Sequence, residues 1–276
     1  MPAGKLYIIG TPIGNLGDLS PRAEQTLRMV DFIAAEDTRV TAKLLHYFGI
    51  KKPMVSYYEH NRMERGEIII ARLHKGENCA LVTDAGMPAI SDPGEELVRQ
   101  CRQMGIAVES VPGPSAAITA LAASGMPSGR FTFEGFLSMN KKNRREHLEE
   151  LRKEKRTMIF YEAPHKLIAT LQDLANVLGN RQIALARELT KLHEEVTVTT
   201  LTQAAQYYEQ NSPRGEFVLI IAGAPPEESD SYTLDQAVAL AHSMTEQGMS
   251  TSTAAKEAAS ITGIKKGDIY KQLIQL

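Results

Sequence analysis

Three charged side chains, Glu36, Asp37 and Arg39, follow the apolar tetrapeptide Phe32-Ile33-Ala34-Ala35. A fourth, Asp84, follows Cys79-Ala80-Leu81-Val82. Short apolar runs of this kind read as buried strands. Open α/β sheets bind ligands at the carboxyl ends of their strands, which is where these charges stand. Asp84 can accept a hydrogen bond from an ammonium or a ribose hydroxyl, and Gly86 permits a positive φ and a close approach to the backbone. Asp92, Pro93 and Glu95 read as the N-cap, first residue and capping-box acid of the next helix. Their expected role is structural, whereas that of Asp84 and Gly86 is functional. A glycine-rich loop, residues 10–18, follows the strand-like Leu6-Tyr7-Ile8-Ile9. Its glycine spacing is not that of a dinucleotide fingerprint, and it lacks the lysine of a phosphate loop. Further polar groups close apolar runs at Glu59-His60-Asn61, Glu162-Ala163-Pro164-His165-Lys166 and Arg187-Glu188-Leu189-Thr190-Lys191.

The elements that must position these groups alternate strand and helix up to about residue 125, which predicts a parallel, doubly wound sheet. Beyond 126 the strands 131–136, 157–161, 182–186, 195–200 and 216–222 follow one another with fewer helices, so the second sheet is expected to be mixed. Residues 224–230 read as a linker. In the tail, Leu234, Val238, Ala241 and Met244 or Thr245 form a helical stripe, and Thr262-Gly263-Ile264 is the turn between two more helices, in the manner of a helix-turn-helix. The expected division is 1–125, 126–224 and 230–276.

The net charge is −2 over 276 residues, so any nucleic-acid contact must use a local basic patch. Residues 141–156 hold eight Lys and Arg against four Glu, beginning with Lys141-Lys142-Asn143-Arg144-Arg145. A solvated helix face is the competing reading for such a run. The tail is a poor dedicated reader of nucleic acid, with four lysines against five carboxylates from Asp230 onward. Seven scattered histidines and two cysteines without ligand spacing give no reason to expect a metal; Cys79 and Cys101 read as free thiols of a cytoplasmic protein. No apolar run is long enough for a membrane span, and the four apolar residues before Gly10 are too few for a signal peptide.

Taken together, the segments 10–18, 35–39, 83–88 with 91–94, 111–116, 160–166 and 186–191 resemble, in order, the motifs of the tetrapyrrole methylase superfamily. The nearest resemblance is to its ribosomal RNA branch, which methylates the ribose 2′-hydroxyl of a cytidine in the decoding centre of small-subunit (16S) RNA. The resemblance implies two α/β domains of the class III methyltransferase type, with S-adenosylmethionine between them, and a small helical domain at the carboxyl end. It places the cofactor at Pro12, Asp84, Ala85, Gly86, Ser115, Ala116, Tyr161, and Glu188 or Leu189. It also implies a homodimer, and a small-subunit RNA or 30S substrate that Lys141, Lys142, Arg144 and Arg145 are positioned to hold. A base would assist attack by a ribose hydroxyl; Asp37, Glu59 and Glu162 are the candidates, with Asn15 and Arg39 as orienting groups. The alternatives are a methyltransferase acting on a tetrapyrrole or other compact molecule, and a non-catalytic RNA-binding factor on the same scaffold.

Overall fold

The computed structural model describes residues 2–225 and 232–275. It resolves into two compact units, Met1–Ala224 and Pro225–Leu276. The first unit contains both sheets. Its first sheet is built from β1 (Leu6–Ile9), β2 (Phe32–Ala35), β3 (Met54–Ser56), β4 (Cys79–Val82) and β5 (Val108–Val111), in the order β3-β2-β4-β1-β5. All four pairings are parallel. Such strands are covered on both faces, which accounts for the continuous apolar runs in β2 and β4. Helices α1 (Pro21–Met29) and α2 (Thr38–Tyr47) bury Ala23, Leu27 and Leu45 on one face. On the other, α3 (Arg62–His74) and α4 (Glu95–Gln103) bury Ile69, Leu73, Leu97 and Cys101.

The second sheet has the order β6-β7-β10-β8-β9, from β6 (Phe131–Phe136), β7 (Thr157–Glu162), β8 (Gln182–Arg187), β9 (Glu195–Thr200) and β10 (Phe217–Ile221). Only the β6–β7 pair is parallel, so the sheet is mixed as expected. One face carries α6 (Lys141–Glu150), α7 (Leu167–Leu178) and α8 (Leu201–Gln210). Helix α7 presents Leu167, Leu171, Leu174 and Leu178, spaced by four, three and four residues, as a single buried stripe. The other face is covered by α5 (Ala116–Ser124), whose small residues Ala117 and Ala120 let it lie close to the strands. Because α5 follows directly on β5, it ties the second sheet to the carboxyl edge of the first.

In the second unit, α9 (Leu234–Glu246), α10 (Thr251–Thr262) and α11 (Lys266–Leu273) share an apolar core that includes Ala237, Ala241, Ala255, Ala258 and Ile269. A capping box between Thr233 and Gln236 starts α9, and Gly263 in the left-handed region ends α10. The expected linker at 224–230 falls largely on residues 226–231, which lie outside the described residues. No helix among the described residues is long and apolar enough to cross a membrane.

Candidate functional site

The carboxyl ends of β1, β2, β4 and β5 open onto a cleft whose far wall is the second sheet. The cleft is a cavity of about 330 Å³, within the range of small-ligand sites. Two strand-end loops form its floor. Thr11 and Gly86 exchange a pair of backbone hydrogen bonds at 2.9 and 3.1 Å, and Thr11 Oγ1 donates to the Thr83 carbonyl at 3.1 Å. Gly86 has φ 88°, and a Cβ there would meet Ile13 and Pro114 only at 3.6 Å. The glycine is therefore needed for its backbone conformation, with space to spare around it.

The floor is acidic. Glu36 Oε2 accepts from Thr83 Oγ1 at 2.5 Å and from the Asp84 amide at 3.4 Å. Asp84 Oδ1 accepts from the Asp37 amide at 3.1 Å. Burial pushes the Asp84 carboxyl above the usual carboxylate range, and the nearby Glu36 adds to the effect. Asp92 lies deeper. Burial first, and then Glu36, raise it to about 7, and a hydrogen bond from Thr83 offsets this only in part. Asp92 belongs to a strained loop in which Ala89 (φ 65°) and Ser91 (φ 60°) occupy the left-handed region. On the opposite wall Glu188 (φ 51°) and Thr190 (φ 66°) do the same. Such backbone strain gathers where a structure must present particular groups. The two walls meet where Gly135 on β6 faces Ser91: a Cβ on Gly135 would lie 2.9 Å from Ser91 Oγ.

The upper wall begins at Ser115, the N-cap of α5, whose side chain makes no cap hydrogen bond. The Ala117 amide donates to Tyr161 Oη at 3.1 Å. Tyr161 packs edge-on against Phe133 and Phe136, and burial raises its hydroxyl pKa. Lys191 Nζ lies 3.0 Å from Glu188 Oε1, and that lysine holds the Glu188 carboxyl below its ordinary value.

Of the residues expected at a ligand, Asp84, Ala85, Gly86, Ser115, Ala116, Tyr161, Glu188 and Leu189 all line this cleft. Pro12 does not. It lines a separate groove against α2, and its neighbour Ile13 reaches the cleft instead. The residues expected in catalysis stand differently. Asp37 is the N-cap of α2 and is clamped by Arg39, with Nη2–Oδ2 2.6 Å; that hydrogen-bonded guanidinium holds its carboxyl down to about 2. Asn15 accepts from the Gly17 amide and caps a short turn, so neither it nor Arg39 reaches the cleft. Glu162 borders the cleft, but its carboxylate is buried on the helical side of β7 and accepts from Thr170 Oγ1 at 2.5 Å. Glu59 is ion-paired to Arg62 at 2.8 Å.

Two other expectations are corrected. Helix α4 starts at Glu95 with Gly94 (φ 140°) as its N-cap, so Asp92 does not cap it and Pro93 is not its first residue. Ser91-Asp92-Pro93-Gly94 is a turn, which its proline and glycine chemistry also permits. In the basic run, Lys141, Lys142 and Arg145 are exposed at the start of α6, but Arg144 is turned inward. Its guanidinium lies 2.6 Å from Asp173 and 2.8 Å from Thr170 Oγ1, extending the hydrogen-bond chain that begins at Glu162.

The family of Tetrapyrrole (Corrin/Porphyrin) Methylases matches residues 5–205, the whole of the cleft floor and most of both sheets. The chain belongs to that family. Residues 235–276 match a second family, described as the RsmI C-terminal HTH domain. Among curated tetrapyrrole-methylase relatives, the chain is 47% identical to the Ribosomal RNA small subunit methyltransferase I of Synechocystis sp., over 99% of this chain and 98% of that one. It is 49% identical to the protein of the same name from Xylella fastidiosa, over 97% and 98%. Among solved structures, a cobalt precorrin-4 methyltransferase superposes with TM-score 0.59 at 19% identity, covering 79% of this chain and 94% of that one. A uroporphyrin-III C-methyltransferase from Thermus thermophilus, in complex with S-adenyl homocysteine, gives 0.57 at 16%, covering 79% and 97%. At these identities the likeness establishes the fold.

Proposed function

We propose that this protein transfers a methyl group from S-adenosylmethionine to the ribose 2′-hydroxyl of a cytidine in small-subunit ribosomal RNA. The observation that carries the reading is the near full-length match to relatives named as small-subunit ribosomal RNA methyltransferases, on a chain whose cleft suits the donor. The cleft offers each chemical type the donor needs. Asp84 provides an acceptor for an ammonium. The first turn of α5, at Ser115 and Ala116, offers amide donors to a carboxylate. Ile13, Met87, Leu189 and Val218 provide apolar walls for adenine and the thioether chain. When bound, S-adenosylmethionine supplies a methyl carried on a sulfonium, already activated. The chain's own contribution is to orient the nucleophile in line, exclude water and receive a proton.

The exposed Lys141, Lys142 and Arg145 form a surface for RNA phosphates, and the protein works as a homodimer in the cytoplasm. Incubation with labelled S-adenosylmethionine and either undermethylated small subunits or uroporphyrinogen tests the substrate class: label should enter the subunit RNA alone. Label in the tetrapyrrole would favour the compact-substrate alternative. Light scattering should report twice the chain mass at micromolar concentration, the sign of an interface of obligate size, roughly 2,000 Å² or more.

A further inference from the structure

We propose that Asp92 is the group that receives the proton of the attacking ribose hydroxyl, an inference that rests on the 2′-O-methylation reading. Two cavities meet at this residue. One is the cleft described above. The other is a more open hollow on the outer side of the 84–94 loop, bordered by Tyr58, Glu59, His60, Pro93 and Glu95. Among the described residues, Glu36, Ser91 and Asp92 alone line both. A nucleoside entering from the hollow and a methyl donor held in the cleft therefore come together at these three side chains. Ser91 carries no basic group. Glu36 accepts from both the Thr83 hydroxyl and the Asp84 amide, whereas Asp92 shares only the Thr83 hydroxyl. That leaves Asp92, held up to the cleft by the strained turn and by the abutment of Ser91 on Gly135.

Other nearby carboxylates are engaged: Asp37 with Arg39, Glu59 with Arg62, Glu162 with Thr170 and Glu188 with Lys191. Asp84 lines the cleft but not the hollow, and there it accepts from the Asp37 amide and faces the donor's ammonium. In the step itself, an oxygen–carbon bond forms as the carbon–sulfur bond breaks. The bonding pair leaves with sulfur, and the hydroxyl proton passes to a carboxylate oxygen of Asp92 and from there to solvent. The groups facing Asp92 are Glu36 at the end of β2, Asp84 after β4 and Tyr161 on β7, with Glu59, His60 and Glu95 across the hollow. None of the nearest three is a cation, which suits a carboxylate that must take up a proton near neutrality.

Asp92→Asn and Asp92→Glu test the assignment beside the wild type, on undermethylated small subunits. The Asn variant should lose about 100-fold or more in kcat, the usual worth of a positioned base. Its calorimetric affinity for S-adenosylmethionine should stay within twofold, and the Glu variant should recover part of the rate. Wild-type kcat/KM should rise with pH to a plateau, with a midpoint near 7. This limb should be absent from the Asn variant.

The free enzyme gives a second readout, independent of turnover. A carboxyl raised in the folded state makes stability fall as pH rises from its unfolded value, near 3.8, through about 7. The Asn variant should therefore melt at the wild-type temperature at pH 4 and above it at pH 8. An Asn variant that keeps wild-type rate, or that loses cofactor affinity in step with rate, overturns the assignment. A wild type that methylates no subunit RNA overturns the functional reading itself and this assignment with it.

Discussion

Arg144 and its neighbours on α6 show how residues alike in sequence separate once folded. The run 141–145 carries four positive charges in five residues, yet only Arg144 turns inward, to Asp173 and Thr170. Arg144→Ala should lower unfolding stability by roughly 1–3 kcal/mol, because it strips a charged hydrogen-bond partner from a part-buried network. Neutralising Lys141, Lys142 and Arg145 together should leave stability within about 0.5 kcal/mol by chemical denaturation. Gly86 makes a second contrast. With φ 88° and both backbone groups paired to Thr11, it cannot become Val without displacing the floor of the cleft. Gly86→Val should weaken S-adenosylmethionine binding by tenfold or more by calorimetry. Asp84 and Gly86 stand out in the sequence because a strand end is a local signal, whereas Ser115 and Tyr161 come from the family resemblance; all four line the cleft. Asp92 does not stand out as a site residue. Its environment is made by Glu36 and Tyr161, 56 and 69 residues away along the chain, so local capping chemistry points to the wrong role.

The same distinction holds among the elements. The parallel first sheet and the mixed second sheet follow from apolar runs and their connections, and both form as those patterns predict. The leucine stripe of α7 carries much of the second core, with Leu174 fully buried. Leu174→Ala should cost roughly 2–5 kcal/mol, measured by denaturant unfolding with an unchanged slope. The start of α4 is ambiguous in sequence because Asp92-Pro93 satisfies two rules of a helix start while Gly94 satisfies another; tertiary packing chooses the glycine. The role of α5 is also hidden. Its sequence is apolar almost throughout, so no periodicity tells which sheet it covers, and the packing of Ala117, Ala120 and Leu121 on the second sheet decides it.

For the whole molecule, a net charge of −2 means RNA affinity must come from a restricted surface. The triple variant of Lys141, Lys142 and Arg145 should weaken subunit binding. It should also flatten the dependence of log affinity on log salt by about 0.7–0.9 for each phosphate no longer neutralised. Cofactor affinity should not change, since none of the three lines the cleft. An unaltered salt slope would move the docking surface elsewhere, with Lys265 and Lys266 at the start of α11 the next place to look. The destination of the methyl group decides the function. Its most direct test is mass-spectrometric mapping of small-subunit RNA after incubation of undermethylated subunits with the protein and isotopically labelled S-adenosylmethionine. One labelled cytidine in the decoding centre is expected, with the added mass on the ribose fragment. Label on a base, on another nucleotide type, or absent from the RNA would contradict it.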